Sequence, residues 1–389
     1  MNYFHWIAGC ILALIWFSRL LEAALGVPKI TDVSLPEWNR KPVPDSPRVS
    51  IIVPARNEEA HIEQTLTQLL QLDYPDYEVL AINDRSTDRT GEVMDRVAST
   101  PAAHGRLHVI HVSHLPANWL GKAHAMWTGA KHANGEWLLF TDADVLFRPD
   151  TLTRTLAYAA AEHVDHLVLF PDFVMYGPGE RMMIAFFQTL FLFGHRPWKV
   201  ADPKTKDFMG VGAFNLIRRE VYQAVGTYEA LRFEILDDMK LGKVVKNGGY
   251  RQRNVFGRGL LSIRWAKSAM GVVENLTKNM FAVLSFQWWR ALASAFGLIF
   301  LNILPFAGVA MAHGWARAPY AIALAAMFGI YVGMSRMSDI PAYYVLLHPV
   351  SSVLFVYIML RSMALTLGRG GVVWRGTFYP LEELRKGMI

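Results

Sequence analysis

Residues 136–152 read EWLLFTDADVLFRPDTL, and the fold prediction starts from this stretch. Residues 137–140 form a short apolar run that ends at polar residues, which predicts a buried strand. Asp142 and Asp144 follow one residue apart, so each carboxylate would lose water and repel the other. A bound cation resolves this conflict, and the pair is therefore a candidate metal site.

Strand and helix patterns alternate around this stretch. The predicted strands are VSIIVPA, YEVLAIND, RLHVIHV and EWLLFTD, with helical patterns between them. Alternation over about 100 residues predicts an α/β fold, a mostly parallel sheet with helices on both faces. Ligands of such sheets bind outside the carboxyl ends of the strands. Polar clusters at 56–58, 83–86 and 142–144 follow three of these strands and are expected to open onto one crevice.

The composition excludes several classes of protein. The net charge is +6 and the pI about 9.3, but there is no dense Lys/Arg block with interleaved aromatic residues. A basic surface facing a membrane is therefore favoured, and nucleic acid is not expected as a partner. Cys10 is the only cysteine, which excludes an intramolecular disulfide and a cysteine-based zinc site.

Apolar residues are concentrated at the two ends of the chain and divide it into six regions. The predicted regions are a transmembrane anchor (1–27), a linker (28–48), an α/β domain (49–264), an interfacial amphipathic helix (265–290), C-terminal membrane segments (291–367) and a basic cytoplasmic tail (368–389). Localisation in the inner membrane as a multi-pass protein, with the α/β domain in the cytoplasm, follows as an expectation.

The C-terminal membrane region contains three apolar stretches, 291–312, 318–334 and 342–367. The first is a good spanning candidate and the second is short. The third contains His348, Pro349 and Arg361, which favours a broken or re-entrant segment. If all three spanned, the basic tail would lie opposite the α/β domain, against the positive-inside tendency. Either one stretch does not span or the tail is an exception.

Four motifs in order, SIIVPARNEE, INDRSTDRT, GKAHAMWTGAKHANGEWLLFTDADV and ILDDMKLG, resemble the family 2 glycosyltransferases, inverting enzymes with the GT-A fold. The resemblance covers about 200 residues, a length typical of one domain. The apolar ends and the residues WRGTFY at 374–379 resemble the branch that glycosylates hopanoids, carotenoids or ceramide.

The resemblance assigns roles to residues near the donor. Asp142 and Asp144 would hold Mg²⁺ or Mn²⁺ against a nucleotide diphosphate, with Asp144 as the main ligand, and oxygen ligands suit both ions. The remaining nucleotide-binding candidates are Pro54, Asn57, Glu58, Asp84 and Lys122. Asp84 also fits a turn or cap residue, Asn57 and Glu58 fit helix caps, and Lys122 fits a solvated lysine.

Asp237 and Asp238 are the candidate catalytic pair. The family has Glu-Asp here, so the resemblance makes Asp238 the base and Asp237 a shortened substitute; the alternative is a pair of helix N-terminal acids. Gly212, Arg264 and Trp265 are candidates for the diphosphate or acceptor side. Leu261 stands where the related Gln/Arg-x-x-Arg-Trp motif has a polar residue, and a membrane-surface arginine is the alternative for Arg264.

The function predicted from these motifs is inverting transfer from a UDP-sugar to a hydroxyl or carboxyl group of a lipid. The alternatives are a small polysaccharide synthase and a non-catalytic membrane protein that binds a nucleotide sugar.

Overall fold

The computed structural model describes residues 2–40 and 46–387. In chain order, the strands are β1 (Val49–Ala55), β2 (Tyr77–Asp84), β3 (Leu107–Val112), β4 (Trp137–Phe140), β5 (Val145–Phe147), β6 (His166–Leu169), β7 (Asp172–Phe173), β8 (Asn215–Arg218), β9 (Gln252–Val255), β10 (Leu261–Ile263), β11 (Gly371–Trp374) and β12 (Thr377–Pro380).

The helices, in the same order, are α1 (Asn2–Gly26), α2 (Ile62–Leu69), α3 (Thr90–Ala98), α4 (Gly121–His132), α5 (Thr151–Ala161), α6 (Pro178–Gly194), α7 (Arg219–Ala224), α8 (Thr227–Ala230), α9 (Asp237–Asn247), α10 (Ala269–Val283), α11 (Trp288–Asn302), α12 (Leu304–Met311), α13 (Ala318–Ser335), α14 (His348–Arg369) and α15 (Leu381–Lys386).

Contacts divide the chain into two units. The sheet unit comprises Ile30–Val174, Pro197–Arg264 and Glu382–Ile389, and the helical unit comprises Met1–Lys29, Met175–Arg196 and Trp265–Leu381. The segment 175–196, which carries α6, groups with the helical unit, whereas the sequence prediction included it in the α/β domain. The six predicted regions remain predictions.

The sheet unit is built on a seven-stranded sheet in the order β3-β2-β1-β4-β8-β6-β9. β1, β2, β3 and β4 are parallel, and β8 is antiparallel to both β4 and β6. β1 and β4 are almost entirely buried, which is expected of strands in a sheet covered on both faces. The predicted α/β fold with a mostly parallel sheet is confirmed. A smaller sheet has the order β5-β10-β7.

The direction of β8 brings a second part of the chain to the carboxyl ends of the parallel strands. Asn215, the first residue of β8, pairs with Phe140, the last residue of β4. The loop before β8 therefore lies at the end of β4, where Asp142 begins the next loop. Gly212 belongs to this loop, which explains how residues about 70 positions apart share one edge of the sheet.

Part of the predicted linker at 28–48 is packed against the sheet unit. The backbone N–H of Val33 donates to the carbonyl of Phe256, and Val33 is fully buried. Arg154 Nη1 donates to the carbonyl oxygens of Val33, Ser34 and Leu35. Positions 41–45 of the linker lie outside the described residues.

Three helices in the described ranges are long and apolar enough to cross a membrane: Tyr3–Lys29, Gly314–Ser335 and Ala342–Arg369. The first and last of the three apolar C-terminal stretches differ from their predictions. The first forms α11 and α12, which meet at a bend of 46°, so it is the broken one. The third is a long helix, because Pro349 lies in the first turn of α14, where its missing N–H costs no helical hydrogen bond.

Buried polar side chains link the start of α14 to the bend between α11 and α12. His348 Nε2 lies 2.9 Å from Asn302 Oδ1, and the Tyr331 hydroxyl lies 2.9 Å from His348 Nδ1. Asn302 Nδ2 donates to the carbonyl of Leu298, so the network is closed within the helical unit. Hydrogen bonding of this kind offsets the cost of placing polar groups among apolar helices.

The predicted interfacial helix at 265–290 contains α10. Ser268 caps its start by accepting a hydrogen bond from Gly271 N, and one side of α10 is buried through Val272, Val273 and Leu276. The tail folds into the hairpin β11–β12, with Arg375 and Gly376 at positive φ in a two-residue turn.

Candidate functional site

Three neighbouring strands, β2, β1 and β4, end at the same edge of the sheet, which is here called the carboxyl edge. Asn57 follows β1, Asp84 ends β2, and Asp142 follows β4. The predicted crevice residues are thus brought together by parallel pairing. The antiparallel strand β8 and the first turn of α9 add Gly212 and Asp238 to this edge.

Asn57 and Glu58 tie the end of β1 to the loop after β2. Asn57 has a φ of 55°, and its Oδ1 accepts a hydrogen bond from Thr87 N at 2.8 Å. Glu58 N donates to Thr90 Oγ1 at 2.7 Å. Pro54 is the second-last residue of β1, next to Ile82 of β2. These contacts fix the loop in a shape that places both side chains at the carboxyl edge, while their role in binding a nucleotide stays a prediction.

Asp84 is buried and forms a two-pronged ion pair with its neighbour. Arg85 Nε lies 2.7 Å from Asp84 Oδ1, and Arg85 Nη2 lies 3.0 Å from Asp84 Oδ2. Arg85 has a φ of 53°, which turns the chain back and aims the guanidinium at the preceding carboxylate. Sequence reasoning missed this partner, because nothing in the motif NDRS shows that Arg85 folds back.

Lys122 lies among the carboxylates of the site. Its Nζ is 2.7 Å from Asp142 Oδ1 and 3.8 Å from Asp237 Oδ1. Burial alone would lower the pKa of Lys122, but the combined charge of Asp142, Asp237 and Asp238 outweighs burial and raises the pKa well above its usual range. Lys122 is therefore a permanent positive charge inside the site, which the alternative of a solvated lysine does not describe.

Gly212 lies between the two acidic motifs. Its backbone N–H donates to Asp238 Oδ2 at 2.8 Å, and a Cβ at this position would lie 2.6 Å from Asp142 Oδ2. Only a glycine leaves room for the Asp142 carboxylate here without a shift. The loop that carries Gly212 is also held at the following residue, where Thr141 Oγ1 donates to the carbonyl of Ala213 at 2.8 Å.

The two acids at the start of α9 have different surroundings. Asp238 is half-buried, and its Oδ1 accepts a hydrogen bond from Met239 N at 2.7 Å. Asp237 is only 3% exposed, and its Oδ2 has no hydrogen-bond partner among the described residues. Burial raises the pKa of Asp237 to about 7; Lys122 opposes this rise, and Asp238 and Asp142 add to it. Burial also raises the pKa of Asp238.

The residues after β4 fit a divalent cation whose coordination shell would be completed by oxygen atoms of a bound ligand. Burial, together with the charges of Asp142 and Glu58, raises the pKa of Asp144 to about 6, so a nearby positive charge would be favourable. The space left by Gly212 keeps Asp142 Oδ2 clear of any side chain at that position. No group of three or more His, Cys, Asp or Glu with metal-binding geometry occurs in residues 2–40 and 46–387. Two carboxylates plus phosphate oxygens would be the ligand set.

Arg264 and Trp265 are consecutive residues at which the chain passes from the sheet unit to the helical unit. Arg264 is exposed and is the last residue of its segment of the sheet unit. Trp265 belongs to the helical unit, where its ring packs on Phe187 with centroids 4.9 Å apart. Their roles toward a diphosphate or an acceptor remain predictions.

The comparisons with known proteins agree with this geometry. Residues 50–226 match the family described as Glycosyl transferase family 2, a range that contains the carboxyl edge from β1 to Gly212. The chain is 22% identical to the 4,4'-diaponeurosporenoate glycosyltransferase of Staphylococcus aureus (strain MRSA252) over 345 residues. That alignment covers 86% of this chain and 89% of the relative.

Among solved structures, the chain resembles a mannosyltransferase, PcManGT from Pyrobaculum calidifontis, described in complex with GDP-Man and Mn²⁺. The TM-score is 0.52 at 20% identity, and the match covers 91% of this chain and 99% of that chain. At this identity, the likeness shows the fold.

Proposed function

The chain is a family 2 glycosyltransferase with the GT-A fold, and from this premise we propose that it moves a sugar from a UDP-sugar to a lipid hydroxyl, with inversion, at a membrane. The observation that carries the proposal is the convergence of Asp142, Gly212 and Asp238 at the carboxyl edge. A donor-side carboxylate and a candidate base then face each other across a residue without a side chain.

The donor is proposed to bind at the ends of β1, β2 and β4. Asp84 and the loop with Asn57 and Glu58 would contact the nucleoside, and Asp142 and Asp144 would hold Mg²⁺ or Mn²⁺. When bound, that ion would neutralise charge on the departing diphosphate. Lys122 adds a fixed positive charge next to Asp142 and would stabilise the same developing charge.

Asp238 is the proposed base, because it is half-buried and within reach of an entering acceptor, whereas Asp237 is closed off from solvent. Asp238 Oδ2 is oriented by the hydrogen bond that it accepts from Gly212 N–H. The carboxylate would take the proton of the acceptor hydroxyl as the oxygen bonds to the anomeric carbon. The bond from that carbon to the phosphate oxygen breaks, and its electron pair leaves with UDP.

A carboxyl acceptor is the second candidate, favoured by the relative whose name denotes a carboxylate. A carboxylic acid is ionised near pH 7 and needs no base. The raised pKa of Asp238 suits the deprotonation of a hydroxyl instead, which is why the hydroxyl is preferred here. A polysaccharide synthase is disfavoured, because the described residues hold three candidate spans and one bent pair, few for polymer translocation.

Membrane attachment is proposed from the exposed apolar side chains of the candidate spans. Leu14 is 71% exposed in α1, Phe296 71% in α11 and Leu346 73% just before α14. Side chains of this size on a helix surface are expected to be covered by lipid.

The proposed side of the tail is supported by one contact in the sheet unit. A Cβ on Gly387 would lie 2.3 Å from Phe233 Cβ, so the residue that follows α15 packs within the unit that carries Asp238. An even number of crossings must then lie between Asp238 and the tail. We propose that α13 and α14 cross and that the bent pair α11–α12 is re-entrant. Arg369, Arg375 and Arg385 would then face the cytoplasm, in line with the positive-inside tendency.

This topology is tested in a Cys10→Ser background by labelling intact cells with an impermeant maleimide. Met337→Cys lies between α13 and α14 and is expected to be labelled, whereas His313→Cys, between α12 and α13, is expected to be labelled only after permeabilisation. Labelling of His313→Cys in intact cells would show that the bent pair crosses.

The reaction is tested with purified protein and Mn²⁺ over a panel of UDP-sugars, with lipids that carry either a hydroxyl or a carboxyl group. The proposal expects UDP release with one donor, stimulated by the hydroxyl lipid, and a glycolipid product of opposite anomeric configuration. Release stimulated only by the carboxyl lipid, and unaffected in Asp238→Asn, supports the second candidate.

A further inference from the structure

Three buried polar side chains have no role in the proposed reaction. They connect strands β6 and β9 to the carboxyl edge. His166, Asn215 and Gln252 lie on the neighbouring strands β6, β8 and β9 and are 0%, 1% and 2% exposed. His166 Nε2 lies 3.1 Å from Asn215 Oδ1, and Gln252 Nε2 lies 2.8 Å from His166 Nδ1. They are here called the sheet triad.

The hydrogen bonds of the sheet triad have one consistent direction. Gln252 Oε1 accepts from Met209 N at 2.9 Å, and Gln252 Nε2 donates to the carbonyl of Gly242 at 2.9 Å. Since this orients the Gln252 amide, its second N–H points to His166 Nδ1, and His166 Nε2–H donates to Asn215. Burial lowers the pKa of His166 to about 4, which keeps the ring neutral as this pattern requires.

Both ends of the sheet triad reach the loop that carries Gly212. Gln252 accepts from Met209 N, and Asn215 Nδ2 donates to the carbonyl of Val211 at 3.0 Å. The same loop packs directly on α9. A Cβ on Gly210 would lie 1.8 Å from the Asp238 carbonyl oxygen, and a Cβ on Gly242 would lie 1.9 Å from the Met209 carbonyl oxygen.

We propose that His166, Asn215 and Gln252 are positioning residues that set the loop Met209–Gly212 against α9 and so aim Gly212 N–H at Asp238. In the hydrogen-bonded series that runs from Met209 N through the sheet triad to Val211 O, each donor meets an acceptor, so the loop has one favoured placement. The proposal rests on the proposed role of Asp238, and a small displacement of a positioned group is enough to slow a reaction strongly.

The test compares Gln252→Met and Asn215→Leu with Ser50→Ala. Ser50 is also fully buried and bonded twice, but its partners are Glu78 Oε1 and Gly135 N, and neither belongs to the loop Met209–Gly212 or to α9. All three variants should have a lower Tm. Well below those Tm values, Gln252→Met and Asn215→Leu are expected to lower kcat about 10–100-fold with the donor KM within about twofold, and Ser50→Ala to keep the kcat of the wild type.

A second measurement makes the result independent of turnover. Hydrogen exchange of the amides at 209–212 should become faster in Gln252→Met and stay unchanged in Ser50→Ala. Equal kcat in Gln252→Met and Ser50→Ala, or unchanged exchange at 209–212 in Gln252→Met, overturns the proposal. If Asp238→Asn keeps full activity, the proposed base is wrong, while faster exchange in Gln252→Met still shows that the sheet triad holds the loop.

Discussion

Two buried carboxylates, one at each end of the parallel strands, have pKa values that are shifted in opposite directions. Glu78 lies at the start of β2 and is 1% exposed; Asp237 lies at the carboxyl edge and is 3% exposed. Burial pushes the pKa of Glu78 up, but hydrogen bonds from Ser50 and Asn134 and the charge of Arg48 outweigh it and leave the pKa lowered. At Asp237, the positive charge of Lys122 does not outweigh burial, and the pKa rises to about 7.

The difference shows that depth of burial does not separate a structural acid from a functional one. At the start of the strands, here called the amino edge, Glu78 receives Ser50 Oγ at 2.6 Å and Asn134 N at 2.6 Å, which stabilise its charge. At the carboxyl edge, one lysine faces three aspartates. This unbalanced charge is the kind of arrangement that a metal ion and a reacting substrate would complete.

The largest expected effect is at the residues proposed to hold the cation. Asp142→Asn and Asp144→Asn should each lower kcat/KM about 10²–10³-fold, since charge on the leaving diphosphate would be less well neutralised. Titration of activity with Mn²⁺ after chelator treatment checks this, with half-saturation shifting to higher Mn²⁺. Asp76→Asn, an exposed acid at the amino edge, is the control and should not change the titration. Unchanged Mn²⁺ dependence in both site variants would contradict the assignment of the cation site to the carboxyl edge.

A smaller loss is expected at Gly212. In Gly212→Ala, the new methyl group would lie 2.6 Å from Asp142 Oδ2 and should displace that carboxylate, lowering kcat about 10–100-fold. Gly194→Ala is the matched control, because a Cβ there meets no heavy atom within 4 Å. If the two variants have the same kcat, the close approach at Gly212 has no catalytic importance.

Neutralising substitutions at Asp237 and Glu78 should change the free energy of unfolding in opposite directions. The raised pKa of Asp237 means that the folded state holds its proton more tightly between pH 3.8 and about 7. Its stability cost is therefore complete above pH 7 and disappears below pH 3.8. Asp237→Asn should raise the free energy of unfolding at pH 8, by at most about 4 kcal/mol, a figure that already includes the attraction to Lys122.

Glu78→Gln should do the reverse. Its lowered pKa contributes stability that is present above pH 4.5 and is lost as the pH falls through the folded-state pKa. Urea unfolding of both variants at pH 8 and pH 5 measures the difference. Destabilisation by both substitutions at pH 8 would contradict the assigned contrast.

The smallest effect is expected at a solvated ion pair between α2 and α3. Arg96 Nη2 lies 2.7 Å from Glu63 Oε2, but the two side chains are 59% and 58% exposed. Arg96→Ala should change the free energy of unfolding by less than about 1 kcal/mol and leave kcat unchanged. A larger loss would mean that surface pairing, and not the buried network, sets the stability of this unit.

The sequence predicted those features that depend on short patterns. The parallel strands, the acids after β4 and the acids that start α9 follow from local apolar runs and strand ends. Three features depend on distant contacts: the antiparallel β8, which brings Gly212 to Asp142; the guanidinium of Arg85 on Asp84; and the bond between His166 and Gln252, 86 residues apart. No spacing rule encodes such contacts.

The membrane prediction was wrong about which stretch is broken for the same reason. His348 and Pro349 indicated a break, yet Pro349 begins α14, and His348 is matched by Asn302 and Tyr331 from other helices. Such partners cannot be read from one segment alone.

The most direct test of the contrast between the two edges measures kcat and Tm of Asp238→Asn and Glu78→Gln side by side, with the donor and acceptor that support turnover. We predict that Asp238→Asn lowers kcat at least about 100-fold, with donor binding and Tm close to those of the wild type. Glu78→Gln should lower Tm and keep kcat. Full activity in Asp238→Asn, or a loss of kcat in Glu78→Gln as large as that in Asp238→Asn, would contradict the assignment of chemistry to the carboxyl edge.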